Sequence, residues 1–222
     1  MPDSETRFTF YSTKHAVVLT LMLGLAAFGG AGKKPVAAPK PVITPGMKAA
    51  RQALDAGTYA LATRLYAAQV TAEEAKPTPS WVQLSVLYNE LGDALHHAAQ
   101  YDKALENFRK ALAIQRKQLG PGHSHVATSY NNIGAVHHDK GEYDKALENY
   151  RKSLAIWLKQ LGPGHPSVAT SYNNMAHVYH AKKDLAKARE YLGKAYTIRL
   201  KKLGPNHPKT KSVKGSLDFL NK

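Results

Sequence analysis

Eleven histidines are spread over 222 residues, and six of them recur at one interval. His123, His165 and His207 stand 42 residues apart, each closing the pentapeptide LGPGH or LGPNH, while His96, His138 and His180 form a second series at the same interval. Imidazoles in register offer three kinds of chemistry: metal ligation, general acid–base catalysis, or a charge that changes near pH 6.5. The sequence supplies little to complete the first two. There is no cysteine, so thiolate ligands and thiol nucleophiles are excluded. Pro166 and Pro208 follow two of the connector histidines, and proline suits a first helical position, so these histidines read as loop or cap residues. His137, His138 and Asp139 are adjacent, but neighbours on a helix point about 100° apart and do not share one ion. No Walker-type phosphate loop, dinucleotide fingerprint, H-E-x-x-H or G-x-S-x-G occurs. The expectation is therefore a protein with no catalytic residues, no metal site and no cofactor.

The interval itself is the larger signal. ATSYNN at Ala127–Asn132 returns at Ala169–Asn174, and YDKALENF at Tyr101–Phe108 returns as YDKALENY at Tyr143–Tyr150. Small and aromatic residues keep fixed offsets: Leu91, Gly92, Tyr101, Ala104, Phe108 and Ala111, then Ile133, Gly134, Tyr143, Ala146, Tyr150 and Ser153, then Met175, Ala176, Leu185, Ala188, Leu192 and Ala195. Small residues let two antiparallel helices approach closely, and the larger ones fill the space between that pair and the next. Helices are predicted over Met47–Ala56, Tyr59–Ala75, Ser80–Ala98, Tyr101–Leu119, Ser124–Lys140, Tyr143–Leu161, Pro166–Ala181 and Asp184–Leu203. A last helix, about Pro208–Leu220, seals the open end. The 43% hydrophobic content is enough for one such unit with short appendages.

This pattern resembles the tetratricopeptide repeat, and the phrase HPSVATSYNN after the connector resembles the repeats of kinesin light chains and related bacterial proteins. The resemblance covers residues 80–222 as three units plus a capping helix. Gly57, Tyr59, Ala62 and Tyr66 mark a degenerate unit over 47–79. It implies an all-α solenoid of antiparallel helix pairs in a right-handed superhelix, with the first helix of each pair lining a concave surface that binds a protein or peptide. The groove-facing places it implies are Asn89, Asn131 and Asn173; Glu90, Asn132 and Asn174; Asp93, Ala135 and His177; His96, His138 and His180; and His97, Asp139 and Ala181. A carboxamide has both a donor and an acceptor, so Asn132 and Asn174 suit pairing with any peptide backbone. The same asparagines could instead bond the neighbouring helix and hold the stack in register. Val86, Thr128 and Thr170 stand where chaperone-binding relatives carry basic residues, which disfavours a carboxylate clamp there. The histidine column is a candidate for pH-sensitive binding.

A formal charge of +15 and a pI near 9.8 favour acidic partners. Lys103, Lys110 and Lys117, then Lys145, Lys152 and Lys159, then Lys187, Lys194 and Lys201 build a basic ridge on the second helices. It offers docking on an anionic surface or an ordinary solvated face, with Glu106, Glu148 and Glu190 placed to neutralise part of it. Nucleic acid is disfavoured by Glu90, Asp93 and Asp139 on the inner face and by the lack of an arginine-rich, aromatic-interleaved segment.

Residues 16–32 carry no charge, and AVVLTLMLGLAAF runs into Gly29, Gly30, Ala31 and Gly32. Residues 1–32 therefore read as a secretory signal peptide, giving an exported, periplasmic or extracytoplasmic protein. Lys33 and Lys34 just beyond, with Asp3 and Glu5 before, favour the alternative of an uncleaved membrane anchor with a cytoplasmic C-terminal side. Residues 33–46, KKPVAAPKPVITPG, read as a proline-spaced tether.

Overall fold

The computed structural model describes residues 40–220. The proposed signal or anchor and the tether up to residue 39 lie outside the described residues. Nine helices follow in order among the described residues: α1 (Pro45–Asp55), α2 (Tyr59–Glu74), α3 (Trp81–His97), α4 (Tyr101–Leu119), α5 (Ser124–Asp139), α6 (Tyr143–Leu161), α7 (Pro166–Ala181), α8 (Leu185–Leu203) and α9 (Pro208–Leu220). Each packs extensively on its sequence neighbours, and the first helices also meet across unit boundaries, α3 with α5 and α5 with α7. That is the solenoid the repeats predict, with α3, α5 and α7 as its inner row.

Helix ends follow from local chemistry. The Thr44 hydroxyl accepts the Met47 N–H at 3.1 Å, and Pro45 takes the first helical position. As a result α1 starts two residues before the expected Met47. The connector histidines are caps: Nδ1 of His123, His165 and His207 accepts the N–H of His125, Ser167 and Lys209 at 3.2, 3.1 and 3.1 Å. Such a cap requires an imidazole with a free lone pair. Burial depresses the pKa of His123, and burial together with Lys202 depresses that of His165, which keeps both able to accept. Gly120, Gly162 and Gly204 end the second helices at φ of 84°, 78° and 80°, a region that favours glycine.

In the α3–α4 and α5–α6 pairs a glycine lies under an aromatic ring. A Cβ built on Gly92 would lie 2.8 Å from two ring carbons of Phe108, and one on Gly134 would lie 2.8 Å from two of Tyr150. The third unit solves the same contact with Ala176 and Leu192, both buried. Units are clipped together at the surface by Lys140 to Asp102 and Lys182 to Asp144, equivalent ion pairs one repeat apart.

Candidate partner-binding groove

The inner row divides its polar side chains between holding the stack and facing outward. Asn174 on α7 donates Nδ2 to Oδ1 of Asn131 on α5 at 3.0 Å, a bond between units. Asn89 is also engaged, donating to the Ser85 carbonyl at 2.9 Å and lying 3.3 Å from the Ser129 hydroxyl of the next unit. Ser129 in turn donates to Oε1 of Gln115 at 2.8 Å. Asn132 and Asn173 are half-buried, and their side chains make no hydrogen bond among the described residues.

Glu90, expected on the inner face with the asparagines, is used inside the stack. Its side chain is 8% exposed, Arg51 of α1 pairs with Oε1 at 2.7 Å, and the Tyr66 hydroxyl of α2 donates to Oε2 at 2.9 Å. Burial raises the Glu90 pKa against the pull of Arg51 and Tyr66. The degenerate leading unit therefore docks on the first full repeat through a buried ion pair. Its two cross-unit partners come from α1 and α2.

The histidine column is bridged by a carboxylate. Asp139 Oδ2 lies 2.7 Å from His96 Nε2 of the preceding unit, and its Oδ1 lies 2.8 Å from His138 Nδ1. Burial opposes ionisation of Asp139, yet the contacts with His138 and His96 prevail and hold its carboxyl below the usual range. His97 stacks on Tyr59 with centroids 5.2 Å apart and sits 3.7 Å from Asp93. Burial, followed by the charges of His138, His180 and Arg199, lowers His177 to about 4. Among the described residues no three histidine or acidic side chains form a metal-binding group.

Most of the basic ridge is neutralised locally. Lys110, Lys152 and Lys194 pair with Glu106, Glu148 and Glu190 at 2.8, 2.6 and 2.5 Å, and they lie over Tyr88, Tyr130 and Tyr172 respectively. Lys145 and Lys187 pair with Glu142 and Asp184, and Lys103 donates to Gln100. Lys117, Lys159 and Lys201 have no ion pair among the described residues; they stand in the last turns of α4, α6 and α8, where the helix dipole favours a cation.

Two residues that sequence reasoning passed over matter here. Gln83 on α3 holds an extended stretch: its Oε1 accepts the Val42 N–H at 2.9 Å and its Nε2 donates to the Val42 carbonyl at 3.0 Å. The last residues of the tether are thus pinned to the solenoid. Arg199 on α8 is buried. Its column was legible at the repeat interval, since Glu73, Gln115, Trp157 and Arg199 are successive 42-residue steps.

The tetratricopeptide repeat profile matches three overlapping spans, residues 82–159, 125–201 and 167–215. Among solved structures, a Podosopora anserina putative kinesin light chain with nearly identical TPR-like repeats superposes with a TM-score of 0.67 at 24% identity, over 80% of this chain and 84% of that one. BtubC (BKLC) from P. vanneervenii aligns at 0.63 and 20% identity, over 78% and 75%. The apo form of RapI gives 0.63 and 18%, over 79% of this chain and 46% of its own. At these identities the likeness is one of fold. No curated protein matches the sequence significantly. No helix among the described residues is long and apolar enough to cross a membrane.

Proposed function

This chain belongs to the tetratricopeptide repeat family, whose members serve in general as protein–protein interaction scaffolds, and on that premise we propose that it holds an extended segment of a partner protein along α3, α5 and α7. The reading assigns it no chemical reaction and no cofactor.

The observation that carries this reading is the grip of Gln83 on Val42. One carboxamide on a first helix pairs with both the N–H and the C=O of an extended residue, while the Val42 side chain stays outside at 70% exposed. Recognition of this kind reads the backbone and tolerates any side chain. Asn132 and Asn173 offer the same pair of groups on the inner row, and neither is spent within the stack. Asn174 donates to Asn131 and retains its acceptor oxygen, whereas Asn131 and Asn89 are given over to register.

The test uses the full chain and a degenerate pool of fluorescein-labelled decapeptides, acetylated and amidated at their ends. Each lost amide contact is worth roughly 0.5–1.5 kcal/mol, so Asn132→Ala with Asn173→Ala weakens anisotropy-monitored binding about tenfold with little change in melting temperature. Undiminished binding by the double variant refutes the placement. Export, the companion proposal, rests on residues 16–32 alone; N-terminal sequencing of the mature chain separates a removed signal from a retained anchor.

A further inference from the structure

Charge is sorted along the solenoid. Residues 107–138, 149–183 and 191–217 contain no aspartate or glutamate. Each stretch runs from within a second helix, through the LGPGH or LGPNH connector, into the next first helix. Because the helices of a pair are antiparallel, the ends of α4, α6 and α8 and the starts of α5, α7 and α9 share one edge. A Cβ built on Gly164 in the second connector would lie 3.6 Å from Lys202 Cε, and burial followed by Lys202 depresses the pKa of the adjoining His165. Acids reach this edge only at the leading unit, where they are spent: Glu73 is buried and pairs with Lys76 at 2.5 Å, and Glu74 accepts from the Tyr88 hydroxyl.

The cations of this edge are not spent. Arg116, Lys117, Lys159, Lys201, Lys202 and Lys211 are exposed, and none of them forms an ion pair among the described residues. Helix dipoles account for a cation at the end of α4, α6 or α8. They do not account for Lys209 and Lys211, which stand in the first turn of α9, where the dipole disfavours a cation and no acid offsets it. Burial, then Arg199, lowers the Lys209 pKa, so like charges are neighbours here.

Apolar groups are interleaved with these cations. Leu161 and Leu200 are 39% and 37% exposed, and Pro121, Pro163 and Pro205 are exposed in the three connectors. The chain's two tryptophans lie on the same edge, both half-buried: Trp81 opens α3, and Trp157 stands one turn before the end of α6. Lysine mixed with leucine and tryptophan, without acids, suits a bilayer interface. A nucleic acid would engage the cations and leave the leucines and prolines without a role. The described chain also enters at this edge, where Gln83, third residue of α3, pins Val42. Residues 33–42 reach at most roughly 35 Å, so an anchor retained at residues 16–32 would keep this edge close to the bilayer.

We propose that the connector edge docks on an anionic phospholipid bilayer, with its lysines among the headgroups and Leu161 and Leu200 at the acyl boundary. The surface is separate from the inner row and does not depend on the groove reading.

Tryptophan fluorescence of the full chain tests it, because residues 16–32 contain no tryptophan. Flotation with vesicles reads binding by any part of the chain, whereas quenching by lipids brominated high on the acyl chains reads this edge alone. Vesicles of brominated phosphatidylcholine with phosphatidylglycerol are expected to quench the wild type, and about 1 M salt, where the Debye length is about 3 Å, to reverse it. Each lysine near such a surface is worth about fivefold, so Lys159→Gln with Lys201→Gln and Lys202→Gln weakens docking about a hundredfold and quenching is lost. All three side chains are exposed, and the melting temperature should not change; should the triple variant unfold, the salt arm on the wild type reads the same charge dependence. The same change at Lys110, Lys152 and Lys194 leaves quenching intact, and a loss there instead moves the contact to the ridge and overturns the edge. Equal quenching by purely zwitterionic vesicles, or none by anionic ones to which the chain floats, overturns the proposal as well. Unquenched tryptophans together with binding of a DNA duplex that needs Lys159, Lys201 and Lys202 assign the edge to nucleic acid and refute the bilayer.

Discussion

The contact of Gly92 with Phe108 gives the sharpest test of the packing argument, because the chain contains two solutions to it. Gly92→Ala places a methyl carbon 2.8 Å from two carbons of a ring that is 1% exposed, where relief by rotation is blocked. Overpacking of this kind costs about 1–3 kcal/mol, and the gain in helix propensity from glycine to alanine offsets about 1 kcal/mol of it. A net loss of about 1 kcal/mol lowers the melting temperature by roughly 2–4 °C in a chain of this size. Phe108→Leu alone costs about 1 kcal/mol from lost volume. The double variant reproduces Ala176 over Leu192, a pair that is buried in the third unit. Its stability in urea should lie close to wild type, giving a coupling of about 1–2 kcal/mol in the double-mutant cycle. Additive losses would show that the glycine is not there for the ring, and the reasoning would fail with it.

Three further outcomes follow from the same geometry. Ala99 and Lys183 hold φ of 56° and 62°, where their counterparts Gly57 and Gly141 sit at 75°. Replacing both with glycine should therefore stabilise the fold by about 0.5–1 kcal/mol per site, read as a higher urea midpoint. Glu90→Ala strands Arg51 and the Tyr66 hydroxyl, and since Arg51 keeps some solvent access the loss should be about 2 kcal/mol, concentrated in faster hydrogen exchange of α1 and α2. His177 titrates near 4 when folded because of its burial and then the neighbouring charges, against about 6.5 unfolded. Its contribution is complete above pH 6.5 and is lost as pH falls towards 4, about 1 kcal/mol by pH 5 after allowing for partial exposure. His177→Gln should flatten that limb of the stability profile, and an unchanged limb would place the histidine in an ordinary solvated setting.

What the sequence shows clearly is whatever repeats. Second-helix and connector boundaries agree with expectation within a residue because the signals are local: a glycine at positive φ, a proline at the first turn, a histidine whose Nδ1 caps the next helix. The inner row was legible as a row, since periodicity places Asn89, Asn131 and Asn173 on one face. Which asparagines are free was not legible. Asn131 and Asn174 meet although they stand 43 residues apart, whereas a 42-residue alignment matches Asn131 with Asn173. Gln83 and Arg51 escaped notice, and Tyr66 read only as an aromatic repeat position, for a related reason. Their partners, Val42 and Glu90, belong to contacts between the degenerate leading segment and the first full unit, where there is no second copy to compare.

The two classes of inner-row side chain depend on each other. Asn131 with Asn174, and His96 with Asp139 and His138, cross from one first helix to the next and fix the spacing of the row. With that spacing fixed, Asn132 and Asn173 hold their amides at a set separation, and under the groove proposal a partner backbone finds donors and acceptors already in place, which lowers the ordering cost of binding.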